Sequence, residues 1–143
     1  MPLVLNGTTG VQDNSGAFVA GTAVASTSGT SINFTGIPSW VKRITVVFNQ
    51  VSTNGTSVFL LQLGDSGGIE NTGYFSTGFS ASSGGSVSTS PSTGFALSGN
   101  NVAPFATSGI TTLVLLNNNQ WILSSSATQP PLRPKDCPLT VQP

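Results

Sequence analysis

The 143-residue chain has no histidine, one cysteine, four basic and four acidic side chains. Each scarcity excludes something. Without histidine there is neither a Ser/His/Asp triad nor a histidine-ligated metal site. With Cys137 alone there is no internal disulfide, only a free thiol or a bridge to another chain. A formal net charge of +0 supplies no basic patch to follow a phosphate backbone, so nucleic acid is not an expected partner. The longest apolar runs, such as VFLLQL at residues 58–63, are far too short for a membrane span. MPLVLNGTTG, at the start, has no basic n-region and no sustained apolar h-region; no signal peptide is expected, and synthesis in a cytoplasm follows.

What is present is polar but uncharged. Ser and Thr number 39, Asn 11 and Gly 17. Disorder usually combines low hydropathy with high charge; here the mean hydropathy is +0.18 and charged residues are 6%. A neutral, Ser/Thr/Asn/Gly-rich, β-branched chain is expected to be all-β with many turns. With so little charge to keep copies apart, association into an oligomer is expected as well.

Along the chain, AFVAGTAVA (residues 17–25) and TSINF (residues 30–34) read as strands, and TGIPSW as a turn, with Pro38 fixing its own φ and holding Ile37 extended. The clearest strand is residues 43–51, with Ile44, Val46 and Phe48 on one face and Thr45, Val47 and Asn49 on the other. Asn54-Gly55 predicts a hairpin into a returning strand, SVFLLQL, with Phe59, Leu61 and Leu63 on one face. Residues 64–94 read as loops with short strands around 73–79. TGFALSG, ITTLVLLN and NQWILSSS supply three more strands, the last two joined by a turn at Asn117 to Asn119. No segment has a 3.6-residue apolar period. The expected fold is all-β, an antiparallel β-sandwich of the jelly-roll type. Its parts are an extended arm with a first strand (1–30), a sandwich domain (31–126) and a Pro-rich tail (127–143). That tail holds five of the nine prolines and three of the eight charges, and is no central strand.

Chemistry is sparse. The acids are Asp13, Asp65, Glu70 and Asp136. Asp65 and Glu70 share a Gly-rich loop; a catalytic carboxylate pair or a calcium site is the sharper reading, two solvated loop acids the plainer one, and DSGGIE does not follow the EF-hand pattern. GDSGG resembles the nucleophile motif of chymotrypsin-like proteases, but without histidine Ser66 is a loop residue. Asn6, Asn33 and Asn54 fit N-x-[ST], a pattern frequent by chance in a chain this rich in Thr. No enzyme activity, metal or cofactor is expected.

Two groups are candidate binding or interface residues. Trp40, Lys42 and Arg43 read as the polar beginning of a strand with a ring over the end of the core. Their alternative is a cation beside an aromatic face, used for sugar stacking or a subunit contact. Tyr74, Phe75 and Phe79, in GYFSTGF, read either as core residues of a short strand or as rings stacking on a glycan beside Asn and Ser hydrogen-bonding groups.

Three stretches, FTGIPSWVKRITVVF, VSTNGTS and QLGDSGGIENTGY, carry a resemblance to small β-rich modules of tailed bacteriophages and prophages, usually labelled tail fibre proteins or phage proteins of unknown role. It covers roughly residues 4–125. Such modules usually run on from the equivalent of NQWILSSS into further strands that close the sandwich. This chain turns instead into the Pro-rich tail, as a truncated, frame-shifted or C-terminally exchanged version would, so an open sheet edge is expected to pair with another subunit. The resemblance implies a virion protein, a tail fibre or appendage module, with a trimer as the expected assembly. Its partners would be other virion proteins and a host-surface glycan. A capsid decoration protein clamping neighbouring capsid subunits is the alternative, and a secreted lectin-like module the second.

Overall fold

A computed structural model describes residues 4–6, 10–12, 19–26, 29–82, 84–99, 106–117 and 119–128. The chain forms two compact units, Met1–Ile37 and Pro38–Pro143. Every strand pairing is antiparallel, and no helix occurs among the described residues. The all-β expectation therefore holds. Among the described residues, however, the sheets are small: one of three strands and four of two.

The first unit contains the hairpin of β1 (Val4–Asn6) and β2 (Gly10–Gln12), with Val4 opposite Gln12. The strands expected at 17–25 and in TSINF are not formed over the described positions 19–25 and 30–34. Strand propensity reflects packing on a half-buried surface, and these segments are exposed throughout. Glycines in the left-handed region, Gly29 (φ 92) and Gly36 (φ 74), also break the extended path on both sides of TSINF.

In the second unit, Pro38 opens a turn whose carbonyl accepts from Val41 N–H at 3.1 Å. The chain then enters β3 (Arg43–Val51). Next come β4 (Leu60–Leu61), β5 (Gly64–Asp65), β6 (Gly68–Ile69), β7 (Gly78–Ser82), β8 (Gly85–Thr89) and β9 (Phe95–Ala96). The long hairpin of β10 (Thr107–Asn117) and β11 (Gln120–Thr128) follows.

The largest sheet has the order β11-β10-β3. Ile44, Val46 and Phe48 alternate half-buried with exposed Thr45, Val47 and Asn49, as their spacing predicts. They lie opposite Leu113, Thr111 and Gly109 of β10, and β11 adds Leu123 beside Leu113 and Trp121 beside Leu115 on the same face. Thr111 is buried on this face, its hydroxyl bonded to that of Ser125 at 2.7 Å. The expected turn between the last two strands is present: Asn117 pairs with Gln120, and Asn119 adopts φ 69, a left-handed conformation that Asn tolerates. A bulge between Thr107 and Gly109 faces Gln50, which has φ 54 and donates its N–H to Ser108 Oγ at 3.0 Å.

The Asn54-Gly55 hairpin is not formed. Neither residue has positive φ; Thr53 Oγ1 donates to Gly55 O at 2.9 Å across a simple bend. The neighbour of β3 is β10, and the returning segment pairs with β9 instead. The 11-residue β10 gives the nine residues of β3 a longer ladder and buries Leu113, which a short return strand does not match.

Within residues 64–94 the structure has more order than the sequence suggests. β5 and β6 form a tight hairpin, extended by Glu70 N–H donating to Leu63 O at 2.9 Å. β7 and β8 form a second, with Ser82 opposite Gly85 at φ 135. Residues 94–99 run against β7 and β8. Ser76 Oγ donates to Gly94 O and accepts from Ala96 N–H at 2.9 Å, and Gly99 N–H donates to Ser80 Oγ at 3.0 Å. A Cβ at Gly78 or Gly99 would strike backbone of the facing segment, so glycine is what allows this approach. The buried set includes Phe95, Ala96, Ala106 and Leu113, with Ser98, Thr107 and Thr111. β11 continues through Ala127 and Thr128, paired with Gly109 and Ser108; the rest of the Pro-rich segment lies outside the described residues.

Candidate binding surface

Asp65 closes the turn of the β5–β6 hairpin: its Oδ1 accepts from Gly67 N–H at 2.6 Å. This is side-chain-to-backbone turn chemistry of the kind Asp favours. No group of three or more His, Cys, Asp or Glu side chains comes together among the described residues.

Trp40 stands in the turn before β3 and is 53% exposed; Lys42 and Arg43 are also exposed. The Lys42 carbonyl accepts from Leu115 N–H at 2.8 Å, so this stretch extends the β3–β10 ladder by one residue. Arg43 sits opposite Val114.

The GYFSTGF residues divide by role. Tyr74 is an internal strut. Its ring meets Phe95 edge to face, with centroids 4.9 Å apart and planes at 87°. Its hydroxyl accepts from Leu63 N–H at 2.8 Å and donates to Glu70 O at 3.1 Å, which ties the β5–β6 hairpin down. Phe75 is 99% exposed and Phe79 is 64% exposed. From Tyr74 to Ser80 the chain alternates: the even positions are half-buried or buried, and Phe75, Thr77 and Phe79 are exposed. Phe79 lies opposite Ser88, and Ala81 opposite Ser86. One step beyond the paired residues the hydroxyls of Thr77 and Ser90 meet at 3.0 Å. Two rings and a row of hydroxyls therefore share one outward face.

A second surface was not legible beforehand. The outer face of the three-stranded sheet pairs Val47 with Ile110 and Val114 with Ile122, all four exposed. Leu113 to Leu116 is an unbroken apolar run, the pattern of a strand covered on both faces. Val114 and Leu116 nonetheless face outward and are exposed, as is Ile110, with the half-buried Thr112 between Ile110 and Val114. No strand pairs with the outer edge of β3 or of β11 among the described residues.

Compared with protein-family models, curated proteins and solved structures, the chain matches none.

Proposed function

We propose that this chain is a non-enzymatic structural component of a tailed-phage virion, a tail fibre or appendage module that acts by assembly and by attachment to a host surface. The observation that carries the reading is the outer face bearing the exposed pairs of Val47 with Ile110 and of Val114 with Ile122, between two sheet edges that have no partner strand among the described residues. Clustered exposed aliphatic side chains and open edges mark surfaces that other chains cover. The formal net charge of +0 opposes no such contact. Motif resemblance supplies the virion setting, and the two exposed phenylalanines are the support for attachment.

In this reading the small antiparallel sheets are parts of a jelly-roll sandwich that neighbouring copies complete, and the assembly is a homotrimer. Its partners are other virion proteins and a host glycan; no cofactor, nucleic acid or membrane insertion takes part. Light scattering on the full chain across a wide dilution range tests it. A trimer that resists dilution is expected. A monomer at every concentration contradicts it and favours a decoration subunit that orders only on a capsid lattice.

A further inference from the structure

We infer that the outward face of the β7–β8 hairpin is an oligosaccharide-binding platform, selective for uncharged glycans, with Phe75 and Phe79 as its stacking rings. The inference rests on the attachment half of the proposed function and gives it a site and a ligand class.

The geometry comes from strand periodicity. Phe75, Thr77 and Phe79 are the exposed positions of an alternating stretch that leads into β7, so they are placed on one side of it. Four residues at the rise of an extended chain separate the two rings by about 13 Å. That span exceeds a single pyranose, so the two rings engage different units of one chain. An aromatic face is negative, and it attracts the C–H bonds that point off the flat side of a sugar ring. Between and beside the rings stand exposed hydroxyls, those of Thr77, Ser86, Ser88 and Ser90. Each hydroxyl both donates and accepts, which suits sugar hydroxyls that do the same.

Charge selects the class of glycan. From Asn71 to Leu132 the sequence contains no Asp, Glu, Lys or Arg. The strands of the platform therefore carry no counter-charge for sialic, uronic or phosphorylated sugars.

The surface is a poor protein interface by contrast with the one already described. On the β3–β10–β11 sheet the exposed aliphatic side chains adjoin in cross-strand pairs. Here Phe79 lies opposite Ser88, and the rings have Thr77 between them, so no apolar cross-strand pair forms. Phe75 also adds nothing to the core, being 99% exposed. Beneath it Tyr74 is fixed by its contact with Phe95 and two backbone hydrogen bonds, so the rings stand on an ordered base that needs no rearrangement to bind.

Titration of the full chain with maltohexaose, cellohexaose and chitohexaose, each beside its monosaccharide, and with an oligogalacturonate tests the inference. At least one neutral hexasaccharide is expected to bind, with its monosaccharide at least tenfold weaker. Phe75→Ala and Phe79→Ala are each expected to weaken binding about tenfold, and Phe75→Trp to retain it. Phe75→Ala is expected to leave the urea midpoint unchanged, which separates loss of binding from loss of fold. Three results overturn the inference: no neutral hexasaccharide binding at millimolar concentration, binding that survives the double alanine variant, or equal binding of the oligogalacturonate. Failure here with a stable oligomer in light scattering leaves the assembly reading in place. Binding by a strict monomer does the reverse.

Discussion

Replacing Gly78 by alanine is expected to destabilise the second unit by about 3 kcal/mol, near the top of the range for overpacking. A Cβ there would lie 2.6 Å from the Ser98 carbonyl carbon, closer to its oxygen, and 2.9 Å from Ala96 Cβ. Two of these atoms are backbone and have no rotamer to escape into. Residues 96–99 would have to shift away from β7. That movement loosens the bonds from Ser76 Oγ and Ser80 Oγ to residues 94–99, each contributing about 1 kcal/mol. Gly55→Ala is the control, because its ordinary φ and empty surroundings admit a methyl group. By restricting the unfolded chain it should be neutral or stabilising by up to about 1 kcal/mol. Urea unfolding followed by tryptophan fluorescence is the assay, since Trp40 and Trp121 both belong to the second unit. With a slope of about 1–3 kcal/mol per molar urea, the Gly78→Ala midpoint should fall by about 1–3 M. Equal midpoints for the two variants would refute the close approach of residues 96–99 to β7.

Two further substitutions probe the same unit. Leu113→Ala, at a side chain only 1% exposed on the central strand, should cost about 2–5 kcal/mol in urea unfolding. Tyr74→Phe keeps the edge-to-face contact with Phe95 but removes the hydroxyl bonded to Leu63 and Glu70. A loss of about 1–2 kcal/mol is expected, together with faster amide exchange at Leu63; unchanged exchange there would show that the hydroxyl holds nothing.

The elements legible in the sequence were those with a strong local signal. The alternation of Ile44, Val46 and Phe48 fixed the buried face of β3, and the asparagine run fixed the β10–β11 turn. Where pairing is non-local, local signals misled. Asn54-Gly55 has the residues of a tight hairpin, yet β3 pairs with β10, whose longer ladder decides the outcome. The β7–β8 hairpin was obscured because its strands are mostly Ser, Gly and Ala, although Gly84-Gly85 marks its turn. Among the candidate binding residues, the sequence named Tyr74, Phe75 and Phe79 together. Only the pleat separates them, turning Tyr74 toward Phe95 and the other two outward. The exposed aliphatic face has no sequence signature, because the apolar run from Leu113 to Leu116 does not say which of its two sides will be covered.

The most direct test of the assembly account is the native mass of the full chain and of its Ile122→Asp variant, by light scattering over a wide dilution range. Ile122 is exposed on the outer face beside Val114, so a carboxylate there disturbs no buried contact within one subunit. It would, however, place a charge within a covered apolar contact, a costly burial. The account predicts a dilution-resistant oligomer for the natural sequence and a folded species of lower mass for the variant. A monomeric natural chain, or an oligomer of unchanged mass and dilution behaviour in the variant, would contradict it.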